Sequence, residues 1–467
     1  MKRDTRQLLK DVYGLIPYAW RVPKIYFNTQ DLINQNLDKK SILDWQLTKL
    51  KEIIEYSYKN VPGYYQLYKE AGITPEDIQV LDDIKNLPFV SKEIIRDNIK
   101  DFISRAVPKS EMIETRTSGS SGTPFLFYRT RKEEWIEQAF VSKAWSKGGW
   151  DITQSGIMLR GGYAGDKKNI IKRSGNFNFY VHNRSYLMSP NFLTDEYYPI
   201  YRDFFLTHRD LKYIFALPSS ATFISQLIIK HHDEGIANVS AIYLSSESIY
   251  GWQYEYIRKA FPNANIISLY GQSERVIMAY WCNESQKYHI DPFYGYTEIL
   301  RNGIDARMGE KGELIGTSFW NKATPFIRYK TSDYALRGSN QCDHCGLEYD
   351  MIESIDGRLQ DVLVGKEGRL ISIGTFDGSL ENSDLFKDIE KFKIIQYEKG
   401  SLEMEIKVSD SFNEDKKDAF WQSISEYLGV DFTLTLSVVE DIKPNANGKF
   451  KSVEQHLLID FDGRENS

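Results

Sequence analysis

KYIFALPSSATFISQLIIKHHDEGIANVSAIYLSSESIYGWQYEYIRKAFPNANIISLYGQSE, residues 212–274, alternates two kinds of apolar pattern. Residues 212–217, 239–245 and 265–270 are short runs rich in β-branched and aromatic side chains, the mark of buried strands. Between them, residues 221–233 and 250–261 repeat apolar side chains at helical spacing. Strands alternating with helices at this spacing imply a mostly parallel sheet covered on both faces. Ligands on such sheets bind beyond the carboxyl ends of the strands. Two polar clusters stand at those ends, Ser245-Ser246-Glu247 and, after Tyr270, Gly271-Gln272-Ser273-Glu274.

Upstream, residues 41–59 place Ile42, Trp45, Leu50, Ile53, Ile54 and Tyr58 near one helical face. Pro62-Gly63 is a turn signal, and Ser91 is the expected N-cap of a short helix over 92–99. Residues 117–124, Thr-Ser-Gly-Ser-Ser-Gly-Thr-Pro, suit a phosphate. Glycine lets backbone N–H groups approach the anion, and hydroxyls add donors. The run lacks the Gly-Lys-[Ser/Thr] ending of a Walker loop, and taken alone it reads equally well as a flexible linker. The apolar run from Phe125 to Tyr128 that follows anchors it inside a domain. After about residue 358 the pattern changes: 392–398 and 402–408 read as paired strands, 414–428 as a helix and 431–439 as a further strand. The expected fold is therefore α/β. A large N-terminal domain, residues 1–357, has mostly parallel sheets covered by helices. A small α+β C-terminal domain, residues 358–467, is joined to it by a hinge near Gly357 to Asp361.

A chain of 467 residues can bury two substantial cores. Its net charge of −6 argues against a general polyanion binder, so nucleic acid is not an expected partner. Met1 to Lys10 carries no signal-peptide pattern, and no stretch reaches the ~18 uninterrupted apolar residues of a membrane span. The aromatic, basic segment Tyr13 to Phe27 is expected to pack on the body rather than on a membrane. Three cysteines fit a reducing compartment, which makes the cytoplasm the expected location. Two of them lie in Cys342-Asp343-His344-Cys345-Gly346, a metal-knuckle pattern that supplies two of the four ligands a structural Zn²⁺ requires. Cys282 and His289 would complete a Cys₃His site that uses every cysteine, with His344 as an alternative to His289. A buried free thiol at Cys282 and a redox-active CxxC are the competing readings. Four protein ligands leave no open position, so the role of such a site would be structural.

The loop TSGSSGTPF resembles the phosphate-binding signature of the adenylate-forming superfamily: acyl-CoA synthetases, luciferases and adenylation domains. Four further elements stand in that superfamily's order. Tyr270-Gly271-Gln272-Ser273-Glu274 resembles its Tyr-Gly-x-[Thr/Ser]-Glu element, and Arg328-Tyr329-Lys330-Thr331-Ser332-Asp333 its Tyr-Arg-Thr-Gly-Asp element. Gly357-Arg358 with Asp361 resembles the hinge, and Asn447-Gly448-Lys449 the carrier of the catalytic lysine. LKEIIEYSYKNVPGYYQLYKEAG and LPFVSKEIIRDNI are similar to the opening of the phenylacetate–CoA ligase branch, in particular its CapK-like members from polysaccharide loci.

This resemblance implies ATP-dependent activation of a small carboxylic acid as an acyl-adenylate. The acyl group would pass to CoA or, in a CapK-like reaction, to an amine in surface polysaccharide biosynthesis. A non-catalytic nucleotide-binding scaffold is the rival, and the presence of Lys449, Glu274 and Asp333 speaks against it. The resemblance places Thr117, Ser118, Gly119, Ser120, Ser121, Gly122 and Thr123 around the β- and γ-phosphates. Ser246 and Glu247 would line the adenine pocket, with Tyr270, Gly271, Gln272 and Ser273 in the same nucleotide site. Asp333 would accept the ribose hydroxyls and Glu274 would bind Mg²⁺. Arg358 would sit near ribose and phosphate, and Lys449 would bridge the α-phosphate and the acid. Lys449, Glu274 and Arg358 are thus the expected catalytic residues. A metal site at Cys282, His289, Cys342 and Cys345 is common in the branch. The acid pocket is expected to draw on residues 160–190 and on the surroundings of Tyr270, and the small domain to rotate about 358–361 between half-reactions. Two positions depart from the pattern: Ser332 stands where a glycine is usual, and Gln360 where an acid is common.

Overall fold

A computed structural model describes residues 20, 22–35, 37–117, 125–151, 154–159, 167–173, 185–247, 249, 251–356, 362–372, 388–409, 411–442 and 453–457. Strands β1 (Met112–Thr117) and β2 (Phe125–Thr130) pair as an antiparallel hairpin. A thirteen-stranded sheet follows, built from β3 (Gly156–Leu159), β4 (Ile171–Arg173), β5 (Tyr186–Met188), β6 (Tyr213–Ala216), β7 (Ala241–Ser245), β8 (Asn265–Gly271), β9 (Met278–Cys282), β10 (Lys287–Ile290), β11 (Gly295–Arg301), β12 (Ile304–Asp305), β13 (Lys311–Ser318), β14 (Tyr329–Arg337) and β15 (Met351–Asp356). Its order is β12-β11-β13-β14-β15-β10-β9-β8-β7-β6-β3-β5-β4.

Strands β5, β3, β6, β7 and β8 run parallel. All other neighbours in this sheet are antiparallel. The sheet is therefore mixed, and the expectation of a mostly parallel one holds only for the stretch around residues 212–270. The cause is connection length. Helices join β6, β7 and β8, whereas β9 and β10 are joined by residues 283–286 alone. So short a link can connect only antiparallel strands.

The α-helices of six or more residues described in the large unit are α1 (Lys24–Ile33), α2 (Lys39–Asn60), α3 (Pro62–Ala71), α4 (Lys92–Asp97), α5 (Arg131–Ser146), α6 (Tyr198–Thr207), α7 (Pro218–Lys230) and α8 (Gly251–Ala260). Ile42, Leu50, Ile53 and Ile54 form the buried stripe of α2, with Trp45 and Tyr58 half-buried at its margin. Burying an aliphatic side chain of this size contributes about 1.5–3 kcal/mol. Pro62-Gly63 is not a turn: Pro62 opens α3, where a missing N–H costs nothing, and Gly72 ends the helix in the left-handed conformation. Ser91 caps α4 as expected, its Oγ accepting from the Ile94 amide at 3.4 Å, but the helix stops at Asp97 because Asn98 leaves helical geometry. The Tyr26 hydroxyl donates to Ser142 Oγ at 2.9 Å, which ties α1 to α5. Residues 13–19 lie outside the described residues. No helix among the described residues is long and apolar enough to cross a membrane.

Further along, β16 (Val362–Val364) and β17 (Leu370–Ser372) pair as a hairpin. Strands β18 (Ile389–Glu398), β19 (Ser401–Val408), β20 (Thr433–Val438) and β21 (Val453–Gln455) make a sheet of order β20-β19-β18-β21, accompanied by α9 (Glu414–Leu428). Strands β18 and β19 pair antiparallel, as their short link dictates, while the α9 crossover makes β20 parallel to β19. Phe392, Ile394, Met404, Ile406, Phe420 and Ile424 build a core separate from that of the large sheet. Arg369, buried at the end of the β16–β17 turn, donates to the Pro190 carbonyl at 3.0 Å and so links this unit to the large one. The expected hinge, 357–361 with Arg358, and Lys449 lie outside the described residues.

Candidate active site

The two carboxylates singled out in the sequence are brought together by reciprocal hydrogen bonds. Tyr270, at the carboxyl end of β8, donates to Asp333 Oδ2 on β14 at 2.8 Å. Tyr329, at the start of β14, donates to Glu274 Oε1 just beyond β8 at 2.8 Å. Strands β8 and β14 lie four positions apart in the sheet, which would separate them by about 19 Å if it were flat. The side-chain contacts therefore require the sheet to curl over on itself. Val90 also pairs with β14 at Tyr329, so the 87–91 segment closes one side of the junction.

Glu274 is buried, and its main-chain carbonyl accepts from Asn321 Nδ2 at 2.6 Å. Burial pushes its carboxyl above the usual range, and the Tyr329 hydrogen bond opposes this only in part. No lysine or arginine among the described residues forms an ion pair with it. Among the described residues, the Tyr329 hydrogen bond and the field of Lys92 offset its charge less than burial opposes it, which suits a site for a hard cation. Asp333 is half-buried, and its amide donates to Thr331 Oγ1 at 3.1 Å. Burial first, then the Asp333 charge, pushes the Tyr270 phenol far above its usual value, so it remains a donor. Gln272 completes the cluster: its Nε2 donates to the Tyr270 oxygen at 2.6 Å, and its Oε1 accepts from the Ile277 amide at 3.3 Å. Gly271 and Ser273 are exposed beside it.

Ser246 and Glu247 follow β7 at the same end of the sheet. The Glu247 carboxylate accepts from the Ser219 amide at 2.9 Å and from Ser219 Oγ at 3.0 Å, at the first turn of α7. It caps that helix and complements its dipole. Thr117 lies opposite Phe125 in the β1–β2 pairing, so the residues flanking the segment expected to bind phosphate are held side by side. Ser118, Gly119, Ser120, Ser121, Gly122 and Thr123 lie outside the described residues, as does most of the 160–190 stretch.

Four non-glycine residues in or beside these motifs have left-handed backbone: Ser246 (φ 72°), Arg275 (56°), Arg328 (51°) and Ser332 (64°). Such conformations cost about 1–2 kcal/mol each for L-residues and gather at functional sites. Ser332 explains itself, because it occupies the place where the superfamily's element carries glycine.

Sequence reasoning assigned no role to Arg328. Its guanidinium pairs with buried Glu298 at 2.9 and 3.1 Å, donates to the carbonyls of Lys85 and Leu87 at 2.6 and 2.7 Å, and lies 4.1 Å over Phe89. It braces the start of β14 against the 85–89 segment. Glu133 was also missed. It accepts from the amides of Thr130 at 2.8 Å and Lys322 at 2.7 Å, tying the start of α5 to the loop after β13. A capping-box signal, Thr130 followed three residues later by Glu133, was present in the sequence.

Away from this cluster, one ligand atom each from Cys282, His289, Cys342 and Cys345 lies within 4.8 Å of every other. Cys282 ends β9, His289 sits on the adjoining β10, and Cys342 and Cys345 come from the loop before β15. Gly346, at φ 75°, turns the knuckle, and its amide donates to the Cys342 carbonyl at 3.0 Å. A tetrahedral zinc with bonds of ~2.0–2.3 Å needs ligand atoms roughly 3.5–4 Å apart, and Cys345 Sγ stands 3.5 Å from His289 Nε2. Burial holds His289 down to about 4, hence neutral, the form that binds a metal. The donor set fits zinc. His344 is exposed and outside the group.

The family model of the CapK C-terminal domain matches residues 363–456. The phenylacetate–coenzyme A ligase of Thermus thermophilus is 23% identical over 408 residues, covering 81% of this chain and 84% of that protein. Protein CapK of Staphylococcus aureus is 24% identical over 375 residues, covering 79% and 78%. The crystal structure of 2-hydroxyisobutyryl-CoA ligase in complex with 2-HIB-AMP and CoA matches with a TM-score of 0.61 at 16% identity, covering 90% of this chain and 91% of that one, a likeness of fold. Motifs in order, a shared fold and relatives spanning most of the chain lead to one conclusion: the chain belongs to the adenylate-forming ligase superfamily, in its phenylacetate–CoA ligase/CapK branch.

Proposed function

We propose that the chain activates a carboxylic acid with ATP and then transfers the acyl group to the thiol of CoA. The observation that carries this reading is the reciprocal pairing of Tyr270 with Asp333 and of Tyr329 with Glu274 at the carboxyl end of β8. In the first step an oxygen of the acid attacks the α-phosphorus and the bond to pyrophosphate breaks. In the second, the thiol sulfur attacks the acyl carbon and AMP leaves. Asp333, an acceptor held beside the β8 terminus, suits the ribose hydroxyls. Glu274 offers a buried anionic oxygen for Mg²⁺, which when bound would spread the charge of the phosphates. In this reading the loop 117–123 cradles the β- and γ-phosphates, and Ser246 and Glu247 border the base. Arg358 and Lys449 enter from the small domain, residues 358–467, as it turns against residues 1–357. Cys282, His289, Cys342 and Cys345 would hold a zinc that stiffens the β9–β10 hairpin and has no part in either step.

The names of the relatives, phenylacetate–coenzyme A ligases, and the adenylate and CoA in the 2-hydroxyisobutyryl-CoA ligase complex support this choice of steps. The CapK-like resemblance, with residues 363–456 matching the CapK C-terminal domain, allows a second reading of the transfer step, in which an amine replaces the thiol and an amide forms. Pyrophosphate release from ATP and Mg²⁺ across aryl, acyl, amino and sugar acids, first without CoA and then with it, tests both. Release that depends on the acid and rises with CoA supports the thioester ligase, and release indifferent to CoA shifts the acceptor to an amine. ATP binding with no release for any acid would turn the reading towards an acid outside the panel or a scaffold.

A further inference from the structure

We infer that Gln272 is a positioning residue for ribose recognition: it directs the Tyr270 hydroxyl proton onto Asp333 and so holds that carboxylate where the nucleotide sugar would meet it. The inference rests on the proposed role of Asp333. The element that Gln272 belongs to leaves its position variable, so nothing in the motif calls for an amide there.

The direction of each hydrogen bond from Ile277 to Asp333 is determined. A backbone N–H can only donate, so the Ile277 amide, 3.3 Å away, must face the Gln272 oxygen. That choice fixes the side-chain amide and turns its nitrogen towards the Tyr270 oxygen at 2.6 Å. A hydroxyl receiving that N–H has its own proton free to give, and the acceptor 2.8 Å away is Asp333 Oδ2. The relay therefore runs from main chain to carboxylate: Ile277, Gln272, Tyr270, Asp333. Both ends of the Gln272 side chain are engaged by protein atoms, so it acts on nucleotide through Tyr270 rather than by touching it. Asp333 in turn is gripped through Tyr270 on one side and by its own amide bonded to Thr331 on the other. Fixing a carboxylate in advance saves ordering it during binding, which is where such a contact gains its selectivity.

Two substitutions separate this role from simple packing. Gln272→Glu keeps an oxygen for the Ile277 amide but cannot donate, so it would draw the Tyr270 proton away from Asp333. Gln272→Leu removes the donor without adding charge. Titration calorimetry of the full chain with Mg²⁺ and either ATP or 2′-deoxy-ATP reads the effect without any need to know the acid. Wild type should prefer ATP. Each variant should weaken ATP binding by about tenfold, the scale of one charge-assisted hydrogen bond, and 2′-deoxy-ATP much less, so that the preference shrinks. In a Tyr270→Phe background the same substitutions should change ATP binding less than about twofold, because the link they act through is gone. Equal losses for the two nucleotides, an undiminished effect in the Tyr270→Phe background, or an unchanged preference would overturn the inference. A wild-type chain that binds no ATP would instead overturn the functional reading on which it rests.

Discussion

Glu274 illustrates how one residue can oppose stability and serve chemistry. Its carboxyl is raised by burial, so the native state holds a proton that the unfolded chain, with a usual value of 4.5, has released. Between 4.5 and the raised value the native state binds more protons, so stability falls as pH rises through that window and the cost is fully present above it. Glu274→Gln removes that charge and keeps an acceptor for Tyr329. Calorimetry should find the nucleotide-free variant a few degrees more stable at neutral pH, with a flatter pH dependence than wild type. The same variant should lose adenylation by about 10²-fold or more. A variant that is less stable and fully active would refute both halves. Ser332 offers a gentler test. With φ at 64° it bears strain that glycine avoids, so Ser332→Gly should raise stability by about 0.5–1 kcal/mol in thermal unfolding and leave ATP binding unchanged.

At the scale of elements, the β9–β10 hairpin and the loop before β15 meet in a small cluster of Cys282, Cys342 and Met351, apart from the main cores, and the cysteine–histidine group lies there. A bound zinc would supply folding free energy directly to this corner. Metal analysis should find about one zinc per chain, absent from Cys342→Ser, and the variant should melt several degrees lower. No spare thiol can compensate for that loss, because all three cysteines of the chain already belong to the group and His344 lies outside it. A metal-free preparation that melts with the wild type would remove zinc from the account.

At the scale of the whole molecule, we propose that the two half-reactions use two orientations of the small domain and that Lys449 serves the first only. Lys449→Ala should therefore cut pyrophosphate release by roughly 10²-fold while leaving acyl transfer from a supplied acyl-adenylate near wild type. Losing both rates in parallel would argue against alternation. Buried Arg369, which joins the small unit to the Pro190 carbonyl, makes a contact that such a motion would have to break or carry along.

What was legible in the sequence is what local physics controls. The alternation over 212–270 located β6, β7, β8 and α8 to within a residue or two, and the α9 pattern matched its helix from Glu414 to Leu428. The Ser91 cap was readable because a capping side chain bonds to an amide only three residues away. The four residues of the cysteine–histidine group could be named from type and spacing, because a metal site would demand particular donors wherever they lie. Pro62-Gly63 misled, because the same residues serve a turn or a helix start and only the neighbouring packing chooses. The mixed sheet was not legible, since strand direction follows from connections and pairing partners far apart in sequence. Nor could the sequence place Tyr270 against Asp333, 63 residues away, or turn Arg328 inward onto Glu298. The first contact exists because the large sheet curls until strands four positions apart touch, and the second reaches across β13 from the start of β14 to β11. Curling is a sum of strand twists and packing over the whole sheet, and no local stretch of sequence encodes it.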